Sequence, residues 1–284
     1  MNRIDLHTHS TASDGSNPPG KLPFMAKEAG LSAIALTDHD TVAGLEPFLS
    51  ACNEAEIEGV AGIEISSRWH FPGEVHVLGY FMNPKDRDFR KRLEFLQNAR
   101  SDRNGEMIRK LQSLGIDITL EEWQQEAGGE IVGRPHLARL LIEKGVCRDM
   151  REAFGRFIGT DGIAFVPKEK LTTVEAVRFI REFSAAPVLA HPGLLKLDTA
   201  TLRDFLLELK DNGLAGVECI HSDHDEKTTI KLLELAVRLQ LAPTGGSDFH
   251  GTPKPHVRLG VPEVPGSYLD GLKASLSGRA EETF

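Results

Sequence analysis

Seven short apolar runs, each four to six residues long, punctuate this chain at 3–6, 33–36, 59–63, 75–80, 187–190, 216–220 and 241–244. Runs of that length, bounded by turn-forming and polar residues, predict buried β-strands. Between them lie segments with helical patterning at 19–29, 41–55, 173–183, 199–212 and 225–239. Alternation of strand and helix predicts an α/β fold on a largely parallel sheet. Strands near seven in number, each followed by polar residues, favour a barrel over an open sheet. In such barrels the chemistry collects at the C-terminal ends of the strands.

One stretch breaks the rhythm. From about 86 to 168 the sequence is charged and helical, with no clear strand. Residues 87–114 carry a helical apolar stripe of Leu93, Leu96, Met107, Ile108 and Leu111, and two further helices are expected at 135–144 and 150–157, separated near Gly145. This reads as a small helical insertion over 97–167, which divides the barrel into 1–96 and 168–284. The tail from 251 is rich in glycine and proline and ends in a short helix.

The residues that follow the apolar runs form a constellation. Alternate side chains of a strand share a face, so His7 and His9 in Asp5-Leu6-His7-Thr8-His9-Ser10 point the same way. Asp14, His39, Glu64, His76, His191, Asp248 and His250 follow. Asp14 in Ser13-Asp14-Gly15 would by itself read as a turn. Thr37-Asp38-His39-Asp40 suggests His39 as a ligand, with a neighbouring carboxylate orienting its second nitrogen; Asp40 is alternatively the cap of a helix beginning at Thr41. Glu64 closes a buried run and needs a counter-charge there. Nine such residues exceed the needs of one ion, since an ion takes about four to six ligands. Two or three divalent cations are therefore expected. Mixed nitrogen and oxygen donors without thiolate suit manganese, zinc or iron rather than copper(I).

Composition excludes several classes. The 284 residues are 40% hydrophobic and 26% charged, with net charge -9. That balance argues against broad binding of duplex DNA, which needs a basic face. There is no apolar stretch near the ~20 residues of a membrane span and no signal-peptide core. Cys52, Cys147 and Cys219 are isolated, as expected for reduced thiols in a cytoplasmic protein.

His7-Thr8-His9-Ser10, Asp14-Gly15, Thr37-Asp38-His39-Asp40, Gly62-Ile63-Glu64, His76, Ala190-His191-Pro192-Gly193 and Ser247-Asp248-Phe249-His250 together resemble the motifs of the PHP (polymerase and histidinol phosphatase) family of the amidohydrolase superfamily. The resemblance implies a distorted (β/α)7 barrel, here with its helical insertion, and a trinuclear site, often of manganese. It implies that His7, His9, Glu64 and Asp248 hold one ion. Glu64, His76 and His191 would hold a second, with Glu64 bridging, and Asp14, His39 and His250 a third. Within the insertion, Gly133-Arg134-Pro135-His136, Ala153-Phe154 and Val166-Pro167-Lys168 resemble the subgroup, often labelled TrpH-like, that includes 3′,5′-nucleotide bisphosphate phosphatases and 5′-to-3′ exoribonucleases.

Charge points to a phosphate ester independently. Three divalent ions against Asp14, Glu64 and Asp248 leave an excess of about three positive charges, which a phosphate dianion and a hydroxide would offset. Glu64, Asp248 and His221 are the residues expected at the reacting centre. His221, at the end of the run 216–220, is a candidate for contact with the scissile phosphate or for protonating the leaving oxygen; a structural histidine is the alternative. Arg134, His136 and Lys168 are candidates for a second phosphate, Arg134 through a bidentate fork. His70, His224 and His256 have no supporting context. Trp69 and Phe71 could stack on a base, with core packing the plainer reading.

The expected activity is removal of the 3′-phosphate from nucleoside 3′,5′-bisphosphates. Its rivals are a phosphodiesterase on short 5′-phosphorylated RNA, another phosphatase such as one for histidinol phosphate, and a non-catalytic module. The partners expected are a small nucleotide or short RNA, with no membrane.

Overall fold

The computed structural model describes residues 2–70, 74–127, 133–166 and 170–277. In chain order the elements are β1 (Arg3–Asp5), α1 (Leu22–Glu28), β2 (Leu31–Leu36), α2 (Leu45–Glu54), β3 (Glu58–Ser67), β4 (Val75–Tyr80), α3 (Arg87–Ser113), α4 (Leu120–Glu126), α5 (Arg134–Glu143), α6 (Met150–Ala153), α7 (Thr173–Glu182), β5 (Ala186–Leu189), α8 (Thr199–Asp211), β6 (Gly216–His221), α9 (Glu226–Leu239), β7 (Ala242–Gly246), β8 (Val264–Pro265) and α10 (Ser267–Ser277). The chain divides into two compact units, Met1–Arg90 with Lys170–Phe284, and Lys91–Glu169. None of the described helices is long and apolar enough to cross a membrane.

In the first unit the strands form one sheet in the order β7-β6-β5-β4-β3-β2-β1-β8. β1, β2 and β3 pair in parallel, as do β5, β6 and β7. β4 runs antiparallel to both β3 and β5. The reason is the short link between β3 and β4: a parallel return needs a crossover of about a dozen residues or more. The reversal has a consequence for the site. Ser66 near the end of β3 lies opposite His76 at the start of β4, so His76 reaches the same rim as residues from the C-terminal ends of the parallel strands. β3 also runs on to Ser67, so Glu64 lies inside a strand rather than closing one.

The sheet curls until its ends nearly meet. Leu6 N–H donates to Gly245 O (3.2 Å), Asp248 N–H to His7 O (2.9 Å) and His9 N–H to Phe249 O (2.9 Å). This seam needs Gly246, where a β-carbon would sit 2.4 Å from His7 Cβ. The result is the expected α/β barrel, nearly closed, with the short β8 as an additional strand. Alternate residues fill the interior: Ile4, Ala33, Ala35, Val60, Leu78, Tyr80, Ala186 and Val188 are all buried in one cluster. Leu269 and Leu272 of α10 join that cluster, and Gly266 N–H donates to Asn2 O (2.8 Å). α10 therefore plugs the barrel at the N-terminal end of β1 and leaves the other rim for chemistry. Tyr80 crosses the interior to donate to Leu6 O at 2.8 Å.

The second unit has its own core, which includes Met107, Leu111, Ile118, Trp123, Leu137, Leu141, Phe157 and Ile158. Trp123 Nε1 donates to Gly133 O at 2.9 Å. Thr119 caps α4 through a reciprocal bond pair with Glu122, the arrangement that satisfies two orphan helix donors at once.

Candidate metal centre

Glu64 is 1% exposed and stands among five imidazoles. Its Oε1 lies 2.9 Å from His76 Nδ1 and 3.0 Å from His191 Nε2. Its Oε2 lies 3.3 Å from His7 Nε2, 3.2 Å from His9 Nε2 and 3.1 Å from His39 Nδ1. Each carboxylate oxygen thus serves a separate set of nitrogens. Asp248 Oδ1 faces His9 Nε2 at 3.2 Å and His7 Nε2 at 3.4 Å. Asp14, the exposed member, reaches His250 Nε2 at 3.3 Å and His39 Nε2 at 3.7 Å. The nine residues singled out from the sequence all meet at this rim.

Their donor atoms group as cations require. His7, His9, Glu64 and Asp248 place four donors within 4.8 Å of one another, and His9, Asp14, His39 and His250 do the same. His39, Glu64 and His76 form a third group, with His191 3.4 Å from His76. Among the described residues, His7 Nε2, His9 Nδ1 and Nε2, His39 Nδ1 and Glu64 Oε2 are buried with no hydrogen-bond partner. Leaving one such atom unmatched costs about 1–3 kcal/mol. Several converging on one spot, all nitrogen or carboxylate oxygen, fit hard-to-borderline divalent cations.

The surrounding bonds set which nitrogen lone pairs face inward. His7 Nδ1 lies 3.0 Å from Glu218 Oε1, so it donates there and its Nε2 lone pair points at the cluster. Glu218 Oε2 also accepts His191 N–H at 2.7 Å. His250 Nδ1 donates to Asp248 O at 2.8 Å, which turns its Nε2 toward Asp14. His221 is opposite in sense. Its Nδ1 accepts Asp223 N–H at 3.0 Å, so the neutral ring carries its proton on Nε2, 3.5 Å from Asp248 Oδ2. His221 presents a donor to the site, not a lone pair. His7, Glu218 and His221 also lie close enough to be a cation group, but that tautomer argues against it.

Burial opposes the charge on Glu64, yet His39, His76 and His7 beside it hold its carboxyl well below the usual range. Asp248 is held down in the same way by His7, His221 and His9, and Glu218 by His7, His221 and His191. Burial pulls His39 to about 4, with His9 and His76 adding to the effect. His9 goes the other way: burial disfavours its charge, but Asp248 and Glu64 raise it to about 10. The cluster keeps its carboxylates ionised and holds positive charge near them.

Neighbouring side chains take roles that the sequence either did not assign or assigned differently. Asp5, buried, accepts from Ser247 N (2.9 Å), Ser247 Oγ (2.6 Å) and Gly260 N (2.8 Å). Asp38 does not serve as the orienting partner of His39; its oxygens accept from Ser10 N (2.7 Å), Ser10 Oγ (2.7 Å) and Ser13 Oγ (2.5 Å). Asp40 is no helix cap: α2 begins at Leu45, and Asp40 Oδ1 accepts Ser66 N–H at 2.8 Å. His224 lies in the loop between β6 and α9 and has a structural role. It is half-buried, with Nδ1 3.0 Å from Cys219 O and Nε2 accepting Gly193 N–H at 3.1 Å, which props the loop carrying His191. The sequence signal for Asp5 and Glu218 was a lone carboxylate inside an apolar run, which is costly unless partnered.

Arg134 and His136 belong to the second unit. Arg134 donates to Ile158 O at 3.3 Å and lies 6.0 and 5.5 Å from the ring centroids of Phe154 and Phe165. His136 is buried and accepts Gly133 N–H at Nδ1, 3.2 Å away. Lys168 and Phe71 lie outside the described residues. Trp69 packs on Phe205 of α8, with 4.5 Å between ring centroids.

The PHP domain model matches residues 5–124. A 5′-3′ exoribonuclease from Haemophilus influenzae is 31% identical over 248 residues, covering 87% of this chain and 90% of that protein. A 3′,5′-nucleoside bisphosphate phosphatase from Chromobacterium violaceum is 28% identical, covering 88% of each. The solved structure of a protein described as a metal-dependent phosphoesterase, from Bifidobacterium adolescentis, superposes with a TM-score of 0.78 at 27% identity over 96% of both chains. With converging cation donors at the rim of a matching barrel, the chain belongs to the PHP family and is a PHP metal-dependent phosphoesterase.

Proposed function

We propose that this enzyme hydrolyses the phosphate ester at the 3′-oxygen of a 5′-phosphorylated nucleotide, with nucleoside 3′,5′-bisphosphates as its substrates and nucleoside 5′-monophosphate and phosphate as products. The observation that carries the reading is the divided Glu64 carboxylate, each oxygen against its own set of imidazoles. That is the arrangement of a ligand shared between cations, and paired cations suit in-line displacement at phosphorus. His7, His9, Glu64 and Asp248 would hold one ion, Glu64, His76 and His191 a second, and Asp14, His39 and His250 a third. Manganese is the ion proposed, with zinc and iron(II) as alternatives. When bound, such ions neutralise phosphoryl oxygens and make a water acidic enough to ionise near pH 7.

The chain's own residues do the rest. Glu218 keeps the His7 proton on Nδ1, and so keeps Nε2 available. His221 carries its proton on Nε2 and is the group proposed to contact the scissile phosphate, donating a hydrogen bond from Nε2–H as negative charge develops on its oxygens. Arg134 and His136, within the proposed helical insertion spanning 97–167, and Lys168, the residue after it, are assigned to the 5′-phosphate. Arg134 is held by two phenylalanine rings, which limits the freedom its guanidinium would lose on binding.

A second reading, exonucleolytic cleavage of short 5′-phosphorylated RNA, draws support from the exoribonuclease relative. Both substrates place a phosphorus on the 3′-oxygen of a 5′-phosphorylated ribose. A turnover panel with manganese-loaded protein separates them. Bisphosphates should be cleaved faster than 5′-phosphorylated dinucleotides or monophosphates. Faster turnover of the dinucleotides would favour the exonuclease reading, and no preference for a 5′-phosphate would reject both.

A further inference from the structure

Lys254 brings an ammonium group to the rim of the metal centre. Its Nζ lies 2.5 Å from Asp248 Oδ2, while Asp248 Oδ1 faces His7 and His9. The Asp248 carboxylate is therefore split: one oxygen toward the cation donors, the other toward Lys254 and His221. An ammonium has three N–H donors, and the bond to Asp248 occupies one. The Lys254 side chain is 34% exposed where Asp248 is only 7% exposed, so the ammonium stands on the solvent side of the carboxylate.

The loop that carries it is braced. Lys254 N–H donates to Gly251 O (3.1 Å), Val257 N–H to Lys254 O (3.0 Å), and Thr252 N–H to Ser16 Oγ (2.9 Å). Gly251 has a φ of +75°, and a β-carbon there would lie 2.2 Å from Ser16 Oγ. The side chain thus starts from a fixed point beside the cluster.

A counter-ion for Asp248 would be redundant once cations engage that carboxylate. A further positive charge on the solvent side then serves an incoming anion. We propose that Lys254 is a substrate-binding residue: with cations bound, it donates to a non-bridging oxygen of the scissile phosphate while keeping Asp248 oriented. This rests on the phosphoesterase reading of the same site but not on which ester is the substrate.

The test uses the full chain loaded with Mn2+ and inorganic phosphate as the probe. Manganese stoichiometry and affinity are read by equilibrium dialysis, and the phosphate Kd by calorimetry. Lys254→Met should retain its manganese equivalents and bind phosphate about tenfold or more weakly, the loss of one charge-assisted contact. Lys254→Arg should recover most of the affinity. If the Met variant folds poorly, Lys254→Gln provides the same readout. A phosphate Kd within about twofold of wild type overturns the proposal, as does a loss that merely follows lost manganese. Wild-type loaded protein that binds no phosphate would overturn the phosphoesterase geometry together with this assignment.

Discussion

Replacing Glu218 by Gln tests whether the metal centre depends on a proton held outside it. Glu218 is fully buried and accepts two N–H groups, His7 Nδ1 at 3.0 Å and His191 N at 2.7 Å. A glutamine of nearly the same shape has one oxygen to offer. If that oxygen keeps the His191 N–H, the amide NH2 faces His7 Nδ1 and forces the ring proton onto Nε2. That nitrogen lies 3.3 Å from Glu64 and 3.4 Å from Asp248, in the middle of the donor set, and a protonated Nε2 cannot ligate. If the amide turns over, the buried His191 N–H is stranded instead. Stability should fall by about 1–3 kcal/mol, the cost of one unmatched buried donor. Manganese affinity should fall about 10- to 100-fold, as for other partners of ligating histidines, which is about 1.4–2.7 kcal/mol. The assay is a manganese binding isotherm beside a denaturant melt of the metal-free protein. A variant with intact stability and manganese affinity within about twofold of wild type would refute the argument.

Glu64→Gln should reduce manganese stoichiometry and turnover together, because it weakens a donor proposed to be shared; near-wild-type turnover would remove Glu64 from the ligand set. Arg134→Ala should leave manganese content unchanged and lower kcat/KM for a 3′,5′-bisphosphate about 10- to 150-fold, the worth of a charge-assisted contact. An equal loss on substrates lacking the 5′-phosphate would place Arg134 outside that role. Chelation should abolish activity and lower the melting temperature, and manganese at about 100 times its Kd should restore about 2.7 kcal/mol of stability. A melting temperature indifferent to manganese would show that no cation binds the folded centre.

What the sequence made legible follows a physical line. His7, His9, His39, His191 and Asp248 come shortly after apolar runs, and the rule that barrel chemistry sits at strand ends was enough to foresee that they meet. His76 precedes most of its run, and only the reversed direction of β4 explains its arrival at the same rim. Nothing local encodes that reversal except the shortness of the link from β3. Glu218 and Asp5 were harder. Each lies within a strand, and their partners are 211 and 242 residues away, so no window of sequence contains the pair. Asp40 shows the opposite error, in which a good cap residue before a helical pattern was overruled by a tertiary bond to Ser66.

The position of Asp5 links the fold to the chemistry. It holds Ser247 and Gly260 from the far end of the chain, while His7 and Asp248 exchange a backbone bond across the same seam. The segments that follow β1 and β7 thus supply His7, His9, Asp248 and His250, and these two pairs cannot meet until the barrel closes. Open, the chain offers only paired fragments such as His7 with His9. Closed, it confronts three carboxylates with six imidazoles in a space largely shut to water, an arrangement with unmatched polar atoms and a standing cost. A cation that binds there relieves that cost and binds only the closed form, so its affinity is spent partly on holding the seam shut. The interior of small apolar residues and the α10 plug close the barrel from below, and the donor cluster at the rim opposes that closure until it is filled. Stability and activity should accordingly respond to the same ion.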